Sequence, residues 1–205
     1  MKVRNSKFAT NVNIAVSPTP IDMRNCTKLF IPLVAALIAG CGGPANVIED
    51  GADQDLMLRG NDPVSYFSAG KPAAGRAEIK AEHRGLNYRF ASDESRRQFI
   101  TNPERYIPQF GGFCAQNMTY AVPVAADAGT FKIIDGKLYL FAGARARQYF
   151  EMDQERNLKL AWHYWETEVQ DNNWRLQSLK RLVFRVPHYK SDAELAAEYE
   201  KRPGR

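Results

Sequence analysis

Apolar and polar residues alternate along two stretches of the chain with the period of two that is typical of a half-buried β-strand. Asp135-Gly136 favours a type I′ turn and predicts a hairpin in which residue 133 pairs with 138 and residue 131 with 140. Arg84-Gly85 predicts another hairpin, in which residues 83, 81 and 79 pair with residues 86, 88 and 90. The two hairpins together predict a small antiparallel sheet.

Apolar residues recur every three or four positions between and after the hairpins, which is the spacing of helices. Asp62-Pro63 is suited to open a short helical turn. Ser92 is suited to cap a helix that Asn102-Pro103 ends. Residues 146–165 predict a longer amphipathic helix, bent near residues 155–157. The expected fold class is therefore α+β, with helices packed on a small sheet.

The C-terminal segment, residues 170–205, has apolar residues at helical spacing with basic neighbours. The apolar residues are Leu176, Leu179, Val183 and Val186, and the basic residues are Arg175, Lys180, Arg181 and Arg185. This pattern predicts a basic amphipathic helix up to Pro187, although residues 182, 184 and 186 also fit a strand. Ser191 and Glu194 form a capping-box pattern that predicts a second helix. A basic amphipathic helix is suited to lie on anionic lipid headgroups, to dock a partner or to pack against its own domain.

An apolar run at residues 29–41 follows the basic residues Arg24 and Lys28. The run is about a dozen residues long, which is too short to span a bilayer and typical of an export signal. Met23 would give that signal an ordinary length, and it is the expected start of the protein. Residues 1–40 are therefore the expected signal region. The Gly-rich polar residues 41–54 are expected to form a tether.

The end of the apolar run, Ile38-Ala39-Gly40-Cys41, resembles the lipobox of bacterial lipoprotein signals. The resemblance implies cleavage before Cys41, diacylglycerol on its sulfur and acylation of the new amino terminus, and several acyl chains anchor a protein stably. It predicts a lipid-anchored protein of the bacterial cell envelope. Gly42 resembles the pattern of lipoproteins sent to the outer membrane, where the domain would face the periplasm. The alternative is an ordinary secretory signal that ends at a cysteine.

The net charge of +5 comes mostly from the signal region. Residues 1–40 hold five basic residues and one acidic residue, which leaves 23 basic and 22 acidic residues from Cys41 onward. That balance gives no reason to expect nucleic acid as a partner. Cys26 lies in the signal region and Cys41 would be lipidated, so Cys114 is the one free thiol expected in the mature chain. An internal disulfide is excluded by counting.

Several motifs in the middle of the chain resemble single-domain YHS proteins, and they follow the order of that family. They are residues 60–67, 88–92, 102–106, 111–115 and 135–140, and a closing helix with Phe150, Asp153, Leu158, Ala161 and Trp165. The resemblance covers residues 55–169 and implies a small treble-clef-like domain, of a kind seen beside copper- and heavy-metal-handling proteins. The chain departs from the metal-binding branch because it keeps one cysteine in place of a closely spaced set. In some relatives the position of Cys114 is selenocysteine, which implies redox or soft-metal chemistry there.

Cys114 follows Gly111-Gly112, whose backbone can adopt positive φ and present amide groups to a thiolate. Amide donors would lower the pKa of the thiol, and the thiolate is both the nucleophile and the metal ligand. Met118 and His83 are the candidate partners, because a set of Cys, Met and His favours Cu(I). The alternatives are that Cys114 only fills a small apolar site, that Met118 and His83 are ordinary core and rim residues, or that Cys114 and His83 form a catalytic dyad.

The predicted function is that of a membrane-anchored envelope module that binds or hands on a soft metal such as copper through Cys114, with another envelope protein as its partner. One alternative is thiol-redox chemistry, in which Cys114 cycles through a sulfenic acid or a mixed disulfide. The other is a structural or interaction role. The sequence lacks the nucleophile-elbow, phosphate-loop and paired-histidine zinc motifs, which argues against an enzyme of those classes.

Overall fold

The computed structural model of the protein describes residues 45–202. The predicted signal region, the lipidation site Cys41 and the start of the predicted tether lie outside the described residues. The described residues contain one hydrophobic core, whose buried members run from Met57 to Val169. The chain from Cys41 onward is therefore expected to fold on its own.

The strands of the described residues form two separate sheets. They are β1 (Ile48–Asp50), β2 (Asp53–Leu56), β3 (Arg76–His83), β4 (Leu86–Phe90), β5 (Asp127–Ile134) and β6 (Lys137–Phe141). One sheet has the order β1-β2-β4-β3, and the other consists of β5 and β6. β2 pairs with β4 in parallel, while the remaining pairs are antiparallel. The single antiparallel sheet predicted from the two hairpins is therefore wrong, because the hairpins belong to different sheets.

Both predicted turns are present, with the left-handed backbone of type I′ turns at all four turn residues. Their φ values are 53° at Arg84, 76° at Gly85, 50° at Asp135 and 73° at Gly136. The predicted pairs 83–86, 81–88, 133–138 and 131–140 are confirmed. The predicted pair 79–90 is wrong, since a bulge between residues 76 and 80 puts residue 76 opposite residue 90. A bulge inserts extra residues into one strand and so shifts the register beyond it.

The folded region begins earlier than predicted, which corrects the extent of the tether expected at residues 41–54. The backbone amide of Asn46 donates to the carbonyl of Gly111 at 2.8 Å, and β1 and β2 lie in the four-stranded sheet. Asp53 is buried and accepts hydrogen bonds from Lys80 at 2.6 Å and from Arg89 at 2.7 Å. Those two bonds, from Lys80 first and Arg89 second, hold the pKa of Asp53 below its ordinary value. Residues 46–56 are therefore part of the domain.

Eight α-helices lie within the described residues. They are α1 (Ser65–Ser68), α2 (Asp93–Thr101), α3 (Pro103–Tyr106), α4 (Ala115–Met118), α5 (Ala144–Glu151), α6 (Gln154–Tyr164), α7 (Trp174–Val183) and α8 (Asp192–Glu200). Ser92 caps α2 and Ser191 caps α8, as predicted. The break in the long amphipathic segment comes at residues 152–153, earlier than predicted, because the Asp153 carboxylate accepts from the Arg156 amide and starts a new helix there. The expected α+β class is confirmed.

Asp62 joins the start of the domain to β4. Its side chain is buried and accepts hydrogen bonds from the amides of Val64 and Ala91, each at 2.9 Å. α1 begins at Ser65, two positions after Pro63, so Asp62 shapes the entry to the helix and does not occupy its N-cap. A buried carboxylate that satisfies two backbone donors fixes the relative position of both segments.

The core is one cluster of buried side chains shared by both sheets and the helices. It includes Tyr88 and Phe90 of β4, Leu138 and Phe141 of β6, and Phe150 of α5. Residues 108–114 run along β6, where residue 108 bridges to residue 138 and residue 114 to residue 140. This segment carries the Gly111-Gly112 motif and Cys114, so the core determines the surroundings of both.

The C-terminal segment forms two helices and no strand within the described residues, so the alternative of a strand at residues 182–186 is wrong. α7 ends at Val183, and Val186 and Leu195 beyond it are buried. Arg145 of α5 pairs with Asp192 at the start of α8, with the two side chains 3.1 Å apart. The segment is thus packed onto the domain through Val186, the one buried residue of the predicted apolar pattern, and through residues outside that pattern.

Candidate functional sites

Cys114 lies inside the core, at the residue before α4. Its exposed fraction is 0 %, and its amide donates to the carbonyl of Val124 at 2.9 Å. Its carbonyl accepts from the amide of Met118 at 3.0 Å, which closes the single turn of α4. Met118 is also completely buried. The structure therefore brings Cys114 and Met118 into one turn within apolar surroundings.

Burial raises the pKa of the Cys114 thiol above its ordinary value. The amides of Asn117, Ala142 and Gln116 donate to the sulfur and act in the opposite direction, but burial is the larger effect. Gly111 and Gly112 have positive φ, 58° and 78°, as predicted. The amides that reach the sulfur nevertheless come from α4 and from the end of β6, and not from the two glycines. The thiol is therefore protonated at neutral pH.

His83 lies in a separate cluster, at the end of β3. Its Nε2 is 2.9 Å from Glu104 Oε1, and its ring meets the ring of Phe99 edge-on with the centroids 6.1 Å apart. Within residues 45–202, no group of three His, Cys, Asp or Glu side chains is placed to hold a metal ion. The metal-ligand set of Cys114, Met118 and His83 stays a prediction. Cys114 and Met118 lie in one turn of the chain, whereas His83 is paired with Glu104.

A cleft of about 430 Å³ opens between the β3–β4 hairpin, residues 107–111 and the end of α6; we call it the aromatic cleft. Its apolar lining consists of Met57, Leu86, Tyr88, Ile107, Pro108, Phe110, Trp162 and Trp165, and its polar lining of His83, Arg84, Glu104, Gln109 and Lys137, with Gly111. These residues come from five separate segments of the chain. The cleft is therefore a product of the tertiary fold and of no single motif.

Phe110 forms the base of the aromatic cleft. Its ring centroid is 4.9 Å from that of Trp162 and 5.9 Å from that of Trp165. Phe110 has φ of 56°, a left-handed conformation that disfavours side chains with a Cβ by about 1–2 kcal/mol. Gly111 continues the left-handed turn with φ of 58°. The turn directs the Phe110 ring against both tryptophans, so local backbone strain accompanies the wall of the cleft.

The rim of the aromatic cleft is basic. Glu104 pairs with His83 and with Arg84, each at 2.9 Å, so its charge is already shared. Lys137 lies over the Trp162 ring, with Nζ 4.8 Å from the centroid, and forms no ion pair with a described carboxylate. Trp162 is held by a hydrogen bond from its Nε1 to the Tyr139 hydroxyl at 3.2 Å. Lys137 is thus a positive charge placed at the edge of an apolar, aromatic wall.

Comparison of the chain with protein-family models, curated proteins and solved structures found no match. None of the helices in residues 45–202 has the length and apolar character needed to cross a membrane. The sequence singles out neither Phe110 nor Lys137 as functional, and it places Trp162 and Trp165 only within the amphipathic helix predicted at residues 146–165. Two tryptophans three residues apart on one helix face are a signal that could have drawn attention to them.

Proposed function

We propose that the protein is a lipid-anchored binding module of the cell envelope, whose aromatic cleft holds a small ligand with a flat apolar body and one anionic group. The observation that carries the proposal is the cleft itself, about 430 Å³ with aromatic walls and a basic rim. Small-molecule sites in proteins are typically concave, about 300–1,000 Å³ in volume, and mostly apolar with a few placed polar groups. The aromatic cleft has each of these properties.

The walls favour a flat ligand. Trp162 and Trp165 are half-buried and line the cleft, and each ring is held at a fixed angle by its contact with the buried Phe110 ring. Aromatic rings bind one another in offset or edge-on arrangements and contribute about 0.5–1.5 kcal/mol per pair beyond the area they bury. A flat apolar body can contact these rings without disturbing their packing.

The rim favours an anionic group. Lys137 has no described carboxylate partner, and Arg84 shares Glu104 with His83. The basic side chains at the rim therefore outnumber the carboxylates. A carboxylate on the ligand could approach Lys137 while its apolar body remains against Trp162.

Anchoring through Cys41, cleavage of residues 1–40 and membership of the YHS family belong to the same proposal. They are supported by the lipobox-like residues 38–41 and by the family motifs in residues 55–169. Acyl chains on Cys41 would hold the module at the outer membrane, where it faces the periplasm and an envelope protein partner. A nucleic acid partner has no support in the nearly balanced charge from Cys41 onward.

Calorimetric titration with 2-naphthoate and its neutral analogue 2-naphthamide tests the cleft. The chain is expressed from Gly42, so that no acyl group or signal region interferes. Lys137→Gln is expected to weaken naphthoate binding about fivefold, since one partly exposed ion pair contributes about 1 kcal/mol, and to leave naphthamide binding unchanged. Lys159→Gln is the matched control, because Lys159 lies exposed on the same helix as Trp162 and pairs with Glu155.

Leu86→Trp locates the binding site. Leu86 lines the aromatic cleft beside the hairpin turn and is only partly buried, so a larger side chain there is expected to fill the cleft without disrupting the core. Loss of binding for both ligands would support the cleft as the site. Absence of saturable binding of either ligand by the unaltered chain, or binding that Leu86→Trp leaves intact, would refute the proposal.

Soft-metal binding is the second candidate function, and one observation favours it. Cys114 and Met118 occupy the same turn, and a thiolate and a thioether are both ligands for Cu(I). Cu(I) would have to displace the thiol proton and enter a buried site. Competition titration with Cu(I), using Cys114→Ser as the control, is expected to show one-to-one binding that the substitution abolishes. Equal affinity of the two proteins would exclude Cys114 as a ligand.

A further inference from the structure

α7 turns its apolar face away from the domain. Its outward residues include Leu179, Leu182 and Val183, which are 59 %, 72 % and 65 % exposed, and the following Phe184 is 68 % exposed. Leu176, one turn before Leu179, completes the stripe at helical spacing. Ile100 of α2 is the one other large apolar side chain exposed to this degree among the described residues. The exposed apolar residues are thus concentrated on one helix; we call this surface the α7 apolar face.

The polar side of α7 faces the protein. Gln177 is buried and donates to the Ala121 carbonyl and to Glu168 Oε2, each at 3.1 Å. Arg181, one turn later on the same side, pairs with Glu168, and its buried Nε has no acceptor among the described residues. A surface helix normally buries its apolar stripe and exposes its polar side. α7 has the reverse arrangement, so packing against its own domain does not account for its apolar residues.

Basic residues flank the α7 apolar face, and acidic residues are missing from α7. Arg175 and Arg185 are exposed and stack on Trp174 and Tyr189 at 5.0 Å and 4.3 Å from the ring centroids. Neither arginine forms an ion pair with a described carboxylate, while Lys180 is paired with Glu168. Apolar side chains bordered by unpaired arginines are complementary to the acyl boundary and the phosphates of an anionic bilayer.

We infer that the α7 apolar face lies on the surface of an anionic lipid bilayer, with Leu179, Leu182 and Phe184 inserted among the headgroups and Arg175 and Arg185 on lipid phosphates. The inference concerns a surface distinct from the aromatic cleft and does not depend on the ligand proposed for it. The bilayer would cover the apolar side of α7, which the described residues of the domain leave exposed.

The start of the described chain lies close to α7. Asn46 donates to the carbonyls of Gly111 and Gly112, and the neighbouring Phe113 ring contacts the ring of Trp174, the first residue of α7. Position 41 lies five positions before Asn46, and five residue-to-residue steps span at most about 18 Å. Acyl chains attached at position 41 would therefore be held within about 18 Å of Asn46, whose partners adjoin the first residue of α7.

Cosedimentation with lipid vesicles tests the inference. The chain expressed from Gly42 carries no acyl group, so binding reports on the folded domain alone. It is expected to sediment with vesicles of phosphatidylglycerol and phosphatidylcholine. Leu179→Gln with Leu182→Gln is expected to lower the partition coefficient at least about tenfold. Arg175→Gln with Arg185→Gln is expected to lower it on anionic vesicles, about fivefold per arginine, and to have little effect on neutral vesicles.

Ile100→Gln is the matched control, since Ile100 is exposed and apolar but lies on α2, and it should bind as the unaltered chain does. Circular dichroism and urea denaturation check that each variant is folded, and Leu182→Gln alone replaces the double variant if that variant unfolds. Failure of the unaltered chain to bind anionic vesicles would overturn the inference. So would equal loss of binding in Ile100→Gln, or a chain that forms a dimer through the α7 apolar face and stays off the vesicles.

Discussion

The thiol of Cys114 is expected to react slowly with alkylating and disulfide reagents while the protein is folded. The chain from Gly42 contains one cysteine, so the reaction reports on this residue alone. The sulfur is fully buried, and burial raises the pKa of the thiol above its ordinary value. Because the thiolate is the reacting form, both properties slow the reaction.

The expected slowing of the reaction follows from the contacts that must break before a reagent can reach the Cys114 sulfur. Loosening α4 uncovers the buried Met118 side chain, which is worth about 1.5–3 kcal/mol, and breaks the bond from the Cys114 amide to Val124, worth about 0.5–1.5 kcal/mol. The sum, about 2–4.5 kcal/mol, corresponds to a reaction about 30- to 2,000-fold slower than in the unfolded chain. The higher pKa slows it further.

The assay compares reaction with 5,5′-dithiobis(2-nitrobenzoate) at pH 7.5 in buffer and in guanidinium chloride. A chain with Cys114→Ser and Ile100→Cys supplies an exposed thiol, which should react at a similar rate in both conditions. A native rate for Cys114 within about threefold of the denatured rate would refute the reasoning. It would show that the thiol is accessible, and it would favour the alternative of thiol-redox chemistry at Cys114.

Two further substitutions test the packing and the electrostatics of the four-stranded sheet. Gly75→Ala is expected to destabilise the fold by about 1–3 kcal/mol in urea denaturation, because the added Cβ would lie 2.5 Å from Arg89 Cβ. Gly129→Ala is the control and should be nearly neutral, because its Cβ would meet only the Asp127 side chain at 3.4 Å. Asp53→Asn should lower the melting temperature at pH 7, and the difference should shrink as the pH falls below about 4. The pKa of Asp53 is lower in the folded chain than in the unfolded chain, so the ionised carboxylate stabilises the fold at pH values above its unfolded pKa. This stabilisation is lost as the pH falls and the carboxylate is protonated. Equal effects of the two alanine substitutions, or a difference in melting temperature that stays constant down to low pH, would contradict these expectations.

The hairpins could be predicted from the sequence because their information is local. Two-residue turns at residues 84–85 and 135–136 fix the register of the strands beside them, and four of the five predicted pairs are confirmed. The fifth pair fails beyond a bulge, where Gly75 approaches the backbone of Arg89 too closely for a Cβ. That approach depends on how β3 and β4 pack together, and no nearby residue signals it.

The pairing of β2 with β4 could not be predicted in the same way. Asp53–Leu56 is mostly polar and lacks the alternation of a half-buried strand, so the sequence predicts no strand there and extends the tether to residue 54. What holds it in the sheet is long-range: Asp53 bonds to Lys80 and Arg89, and Leu56 pairs with Asn87. A buried carboxylate between two cations is visible only once the fold brings them together.

The candidate sites show the same limit. The sequence singled out Cys114 and the two glycines before it, and the positive φ values of those glycines are confirmed. Whether amide donors lower the pKa of a thiol depends on burial, and burial depends on the whole core around Val124 and Leu140. The aromatic cleft is assembled from five segments, so spacing along the chain carries almost no information about it.

Each of the two surfaces proposed for function carries a feature that opposes the stability of the fold. Phe110 adopts a left-handed backbone that a non-glycine residue avoids, and its ring then forms the base of the aromatic cleft. α7 buries Gln177, turns the half-buried Arg181 towards Glu168 and exposes Leu182, the opposite of the order that burial of apolar area would favour. A glycine at position 110 would avoid the backbone strain, and a helix that buried its apolar side would give a more stable fold. The proposed occupants account for both features, a flat ligand against the tryptophans that Phe110 supports and a bilayer against α7.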